Sequence, residues 1–129
     1  MMNKRYDVIT GLDTCVDLMM RGGDVVPRFG QAEQLVDGYL LEMGGSACIF
    51  ACQCAKLGLR TAGTGKVGED AFGALVLDRL AMAGVDTTNV ARDAGIQTGL
   101  GLALCRKDGD RAILTVTGSI DAAGPEALL

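Results

Sequence analysis

Residues 63 to 73, "GTGKVGEDAFG", place Gly63, Gly65 and Gly68 at the G-x-G-x-x-G spacing with Lys66 among them. Glycines at that spacing let backbone approach a pyrophosphate, and a helix behind them offers N–H groups to the anion. Asp86 lies about where a ribose-binding acid would follow. The same spacing also serves a strand-to-helix turn with no ligand, so two readings stand. A Walker A loop is excluded, because Arg60 occupies its first glycine position and Val67 follows the lysine where a magnesium-binding hydroxyl belongs.

Asp13 and Asp17 form a second candidate group, as paired carboxylates for acid/base work or hydroxyl binding, or as solvated turn residues. Gly44 and Gly45 precede an apolar run. They suit plain turn chemistry, or a place where backbone and a helix N-terminus meet a ligand with no side chain between. Cys48, Cys52 and Cys54 invite a metal. On a helix the first two share a face while Cys54 points nearly the opposite way, and no histidine exists to complete a site, so core thiols are the better reading.

The chain that must position these groups has 129 residues, enough for one core and too few to suggest two domains. Apolar residues make up 49% and charged residues 22%, with 19 glycines and 2 prolines, a folding composition rich in tight turns. A formal charge of −4 without a basic block leaves no footprint for nucleic acid or an anionic membrane. The uncharged runs from Met43 to Ala55 and from Ala94 to Cys105 are too short to span a bilayer, and no signal-type segment follows Lys4, Arg5 and Asp7. A cytoplasmic location is expected. Five cysteines, an odd number without a disulfide rhythm, fit reduced thiols. With no histidine, chemistry would rest on carboxylates, lysines, thiols or backbone.

Hydrophobic periodicity predicts a strand over Tyr6 to Leu12 that carries Asp13 to Asp17 to a sheet edge, and a short exposed strand over Gln34 to Tyr39. A helix apolar on nearly every side is expected over Ser46 to Leu57, buried between layers and closed by Gly58. A strand over Arg60 to Gly65 and a helix over Glu69 to Ala83, stopped by Gly84, come next. Two strands, Leu100 to Cys105 and Ala112 to Thr117, flank the hairpin turn "RKDGD", and Gly124-Pro125-Glu126 reads as a helix start. Strands alternating with helices plus a hairpin argue for α/β with a small β appendage.

In order and spacing, the strand with its aspartates, then "GGSACIFACQCAKLG", then "TGKVGEDAFGALVLDRLAMAGVD", resemble the N-terminal part of the PfkB carbohydrate kinases, the ribokinase-like family. The resemblance implies an incomplete three-layer α/β sandwich with a small antiparallel β lid. Residues 1–129 are then expected to be the N-terminal portion of a single kinase domain, a fragment without its catalytic and nucleotide-binding part. It implies phosphoryl transfer from ATP, with Mg²⁺, to a hydroxyl of a small-molecule sugar. Asp17 would accept hydrogen bonds from sugar hydroxyls, Gly44 and Gly45 would let backbone approach the substrate, and Asp13 follows as a weaker match. In this family "GKVGEDAFG" locks a strand to its packing helix.

Two departures bear on specificity. Ile49 stands where the family usually has a sugar-contacting asparagine, and Cys15 occupies a position two before the aspartate that is often asparagine. The family's Gly-Ala-Gly-Asp stretch, which carries its catalytic base and anion hole, occurs nowhere in the sequence. No catalytic residue, nucleotide or metal is therefore expected on this chain, and alone it should be inactive. Homodimerisation through exposed lid strands is a further expectation. The rival reading is a self-contained non-enzymatic or dinucleotide-binding α/β domain.

Overall fold

A computed structural model describes residues 3–122 and 124. Strand β1 (Val8–Gly11) leads directly into β2 (Cys15–Arg21), followed by β3 (Gly38–Met43) and helix α1 (Ser46–Lys56). Then come β4 (Thr61–Gly68), α2 (Ala71–Ala83), β5 (Asp86–Asp93), β6 (Gly99–Cys105), β7 (Arg111–Val116) and a 3-10 turn at Gly118–Ala122. The elements form two sheets. One is parallel, in the order β1-β4-β5, and the other, in the order β3-β2-β6-β7, stands where the small β lid was expected. The two crossovers step the same way along the parallel sheet, so right-handed connections put α1 and α2 side by side on one face.

This is the expected α/β architecture, with local differences. The lid is mixed rather than wholly antiparallel, because β2 and β6 run parallel. Asp17 lies inside β2, not at the edge that β1 was expected to reach. The exposed strand expected at Gln34 to Tyr39 forms later, over Gly38–Met43, where pairing with β2 supplies the hydrogen bonds. Strand β5 went unread, since "DTTNVARD" is polar and becomes a strand only by pairing with β4. The helix start expected at Gly124-Pro125-Glu126 falls largely outside the described residues.

The core gathers Leu12, Val16, Cys48, Ala51, Cys52, Val67, Val76, Leu80 and Val85 from both sheets and both helices. Helix α1 is not enclosed as its composition suggested. Cys48, Ala51, Cys52 and Cys54 are buried, whereas Phe50 is 54% exposed. Gly84, in the left-handed region at φ 96°, closes α2.

Within "GTGKVGEDAFG", Gly63 and Gly65 lie inside β4, Gly63 paired with Thr10 of β1 and Gly65 with Val90 of β5, rather than in a loop. A Cβ at Gly63 would sit 2.5 Å from Leu12, and one at Gly73 would sit 2.2 Å from the Gly68 carbonyl oxygen. Gly73 therefore permits α2 to touch the end of β4, and Gly63 makes room for the Leu12 side chain. Asp70 caps α2 by accepting from the Gly73 N–H at 2.7 Å, and it also accepts from the Thr98 N–H at 3.0 Å and the Thr98 hydroxyl at 2.7 Å. Thr98 in turn accepts from the Gly68 N–H at 2.9 Å. The stretch is a lock between β4, α2 and the approach to β6.

A second polar knot holds the lid to the parallel sheet. Between β1 and β2 the chain changes sheets, and Thr14 there is fully buried, as is Ser119. The Lys66 carbonyl can only accept, so the Thr14 hydroxyl donates to it, at 2.5 Å. Ser119 then donates toward Thr14, whose hydroxyl and carbonyl oxygens lie 2.7 and 2.9 Å away, and accepts from the Gly99 N–H at 3.1 Å. Two side chains thus join β1, β2, β4 and β6.

Replacing Ser119 by Ala takes the hydroxyl partner from the buried Gly99 N–H and from the Thr14 carbonyl, while Thr14 keeps its bond to Lys66. We expect a loss of ~1–3 kcal/mol, read from urea denaturation. A second expectation concerns acid. Partial burial acts to raise the Asp70 carboxyl, but the hydrogen bonds from Thr98 and from the α2 N-terminus outweigh it and hold the group below the ordinary carboxylate range. The unfolded chain then binds the proton first as pH falls from about 4, so stability is present above that value and is lost as pH drops through the folded-state pKa. Denaturation midpoints measured downward from pH 6 should fall less steeply in Asp70→Asn than in the parent sequence.

Candidate functional site

Antiparallel pairing of β2 with β3 sets Val16 against Met43, and the Gly44 N–H donates to the Cys15 carbonyl at 2.9 Å. Register thus brings Asp17 and the diglycine together, although they are far apart in sequence. A Cβ on Gly44 would stand 2.7 Å from the Asp17 carboxylate, and one on Gly101 would stand 3.1 Å from it. Two missing side chains make room for that carboxylate. It is half-buried, makes no hydrogen bond or ion pair with any described residue, and opens on a cleft of about 160 Å³. Met19, Gly101, Ala103, Arg111 and Ile113 line the cleft with it.

Asp13 has a different position. Its Oδ1 accepts from the Ala47 N–H at 2.9 Å and the Cys48 N–H at 3.3 Å, the first turn of α1. Gly45 provides no side-chain cap, so Asp13 supplies one from another element and places negative charge at the helix N-terminus. Gly45 adopts φ 86°, and a Cβ there would lie 2.2 Å from the Asp13 carbonyl oxygen. The structure therefore divides the candidates: Asp13 and Gly45 build the start of α1, while Asp17 lines the cleft and Gly44 lies against its carboxylate.

Neighbouring charges are arranged to leave Asp17 alone. Glu42 is its cross-strand partner and would repel it. Arg79 draws Glu42 away at 2.7 Å, and that hydrogen bond, with one from the Met43 N–H, holds the Glu42 carboxyl below its ordinary range. Ile49, at the position expected to touch a sugar, lines a different groove with Glu42, Met43, Arg79 and Met82.

The cysteines behave as core. All five are free, and among the described residues no group of His, Cys, Asp or Glu is gathered to hold a metal. Burial, then the charges of Asp17 and Asp13, push the Cys15 thiol up to about 11, and burial pushes Cys48 higher still. Both are protonated at neutral pH.

No phosphate cradle forms at the glycine-rich stretch. Its Gly68 and Gly73 N–H groups are occupied, and Lys66 pairs with Asp93 at 3.3 Å. Asp86 accepts from the Thr88 hydroxyl at 2.6 Å and also from the Tyr6 hydroxyl. These contacts, Thr88 first, lower its carboxyl to about 2.

Residues 14–129 match the family model described as pfkB family carbohydrate kinase. The chain belongs to the pfkB carbohydrate kinases. Within that family it is 35% identical over 77 residues to a protein of Arabidopsis thaliana named probable fructokinase-5, covering 60% of this chain and 24% of that one. It is 31% identical over 110 residues to fructokinase-1 of Zea mays, covering 74% of this chain and 33% of that one. Its fold matches Arabidopsis thaliana ribokinase complexed with ribose and ATP, with TM-score 0.82, 24% identity, and coverage of 90% of this chain and 37% of the other. Adenosine kinase of Sinorhizobium meliloti matches with TM-score 0.71, 27% identity, and coverage of 96% and 43%. The pfkB chain spans about a quarter to a third of the length of these curated relatives.

Sequence reasoning did not select Gly101, Met19, Ala103, Arg111 or Ile113. The signal was present for Gly101 and Ala103: in the run Gly99–Cys105, leucines alternate with small residues, so one face of β6 is left open. That this open face lies beside Asp17 follows only from the parallel pairing of β2 with β6.

The two glycines should respond differently to substitution. Gly45→Ala forces a side chain into the left-handed region against backbone and should cost ~1–2 kcal/mol. Gly44→Ala meets only the Asp17 carboxylate, which can swing into the cleft, and should stay within about 1 kcal/mol of the parent in the same urea titration.

Proposed function

We propose that this chain forms the acceptor-sugar side and the lid of an ATP-dependent carbohydrate kinase, which transfers a phosphoryl group to a sugar hydroxyl. The observation that carries the reading is the unpaired Asp17 carboxylate, held open by Gly44 and Gly101 over a cleft with apolar walls. A carboxylate without internal partners accepts hydrogen bonds from two adjacent hydroxyls. Met19, Ala103 and Ile113 exclude the water that would compete for them. Asp13 and Gly45 serve the same site indirectly, by fixing α1 behind Gly44.

ATP supplies the phosphoryl group and Mg²⁺ offsets its charge in this reading. The described residues do not fit either group, since the glycine-rich N–H groups are engaged and no carboxylates gather as a metal site. Both are assigned to other parts of the kinase, along with the general base. What this chain contributes is orientation: hydroxyls at Asp17, backbone contact at Gly44, and closure by the lid. The lid's other face carries exposed Tyr39, Leu114 and Val116, and β7 is an open edge, which supports pairing of two copies through their lids.

Heteronuclear NMR with a panel of neutral sugars tests the reading. At least one sugar should shift the amide signals of Asp17, Gly44 and Gly101, and Asp17→Asn should weaken that response at least ~tenfold while leaving the spectrum folded. The isolated chain should show negligible ATP-dependent phosphorylation of the same sugar. Shifts that avoid Asp17, or turnover by this chain alone, would remove the assignment.

A further inference from the structure

Five of the described arginines have a charged or aromatic partner: Arg28 with Asp24, Arg60 with Asp7, Arg79 with Glu42, Arg106 with Asp108, and Arg5 over the Tyr6 ring. Arg21, Arg92 and Arg111 make no ion pair among the described residues. Strand register places two of them in one row, because Arg21 of β2 is opposite Cys105 of β6, and Cys105 is opposite Arg111 of β7.

Side chains alternate along a strand, so Asp17, Met19 and Arg21 share a face, as do Gly101, Ala103 and Cys105, and Arg111 and Ile113. That face is the one that opens on the cleft, and Arg111 lines the cleft together with Asp17. The lid therefore presents the unpaired Asp17 carboxylate in one row, beside the Arg79-bound Glu42, and two guanidinium groups four residues further along, with Met19, Ala103 and Ile113 between them. At strand spacing the two rows are roughly 13 Å apart. An arginine side chain reaching back over the apolar floor shortens that distance to the scale of a five- or six-carbon chain.

We propose that the acceptor is an anionic sugar, whose hydroxyls meet Asp17 and whose terminal carboxylate or phosphate meets Arg111, with Arg21 as the second cation of the row. The inference rests on the sugar-binding reading of Asp17 and adds the substrate class and its orientation. Asp17 repels an oxyanion, so the charged end is directed to the arginine row and the chain of the sugar lies along β2 and β6. A guanidinium pairs a carboxylate or phosphate with two parallel N–H bonds. The apolar floor between the rows strengthens that pairing relative to open water.

Calorimetric titration of the chain with fructose, gluconate, fructose 6-phosphate and inorganic phosphate tests this. At low ionic strength, gluconate or fructose 6-phosphate should bind at least ~tenfold tighter than fructose, and which of the two prevails identifies the oxyanion. Arg111→Gln should abolish that preference and Arg21→Gln reduce it, each weakening the anionic sugars by a larger factor than fructose. Arg111→Lys should keep part of it, and raised salt should shrink it. Both arginines are exposed, and circular dichroism verifies that the variants stay folded.

Fructose bound as tightly as the anionic sugars, with Asp17→Asn abolishing it, would overturn the anionic class and leave the Asp17 reading intact. Inorganic phosphate bound as tightly as fructose 6-phosphate, and insensitive to Asp17→Asn, would reduce the row to a nonspecific anion contact. Failure of every sugar to bind would overturn both.

Discussion

The chain crosses from one sheet to the other in three residues, Leu12 to Thr14, and everything at the cleft depends on that crossing being fixed. Leu12 closes the core on one side, and Thr14 ends inside the protein with no water to satisfy it. A buried hydroxyl without partners is costly, so its contacts with Lys66 and Ser119 determine where β2 begins. From that point the alternation of β2 is set. Val16 turns into the core, Asp17 points from the opposite face of β2, and Asp13, within the crossing, is left beside the first turn of α1. One backbone event thereby gives two nearby carboxylates opposite roles.

Charge pairing sharpens the division. Asp13 is consumed by backbone N–H groups, Asp70 by an N-cap and a threonine, Asp86 by hydroxyls, and Glu42 by Arg79. Among the described residues Asp17 is left with no partner, in a half-buried place, at a cost that a bound polyol would offset. The arginines show the converse pattern among the described residues, most of them paired and, of the three that make no ion pair, two standing in one row of the same lid face. Complementary groups at the two ends of an apolar strip give a ligand a direction, which a single charge does not.

Much of the fold was legible. The two helices, the two strands flanking "RKDGD" and the strand before the glycine-rich lock all follow from apolar spacing and turn residues, and the structure places them within a few positions. Those signals are local, set by side chains within one turn or one strand. The misreadings have a common cause. Strand β5 and the true start of β3 are polar or poorly patterned, and they are strands because a neighbour supplies hydrogen bonds. The near-uniform apolar character of α1 suggested burial on all sides, yet a helix packs only where another element meets it, and Phe50 is left more than half exposed.

The sequence by itself determined the family, through the order and spacing of its diglycine and glycine-lock motifs, and with it the α/β architecture and the interest of Asp17. Those are statements about residue type and linear distance, which the chain carries explicitly. Tertiary structure alone decided that Asp13 is a helix cap while Asp17 is free, and that the glycine-rich stretch has no N–H to offer at Gly68 or Gly73. It also decided that Gly101 and two arginines stand on the same face as the carboxylate. The reason is physical: whether a polar group is available depends on which partners reach it, and partners are chosen by register between strands, not by neighbours in sequence.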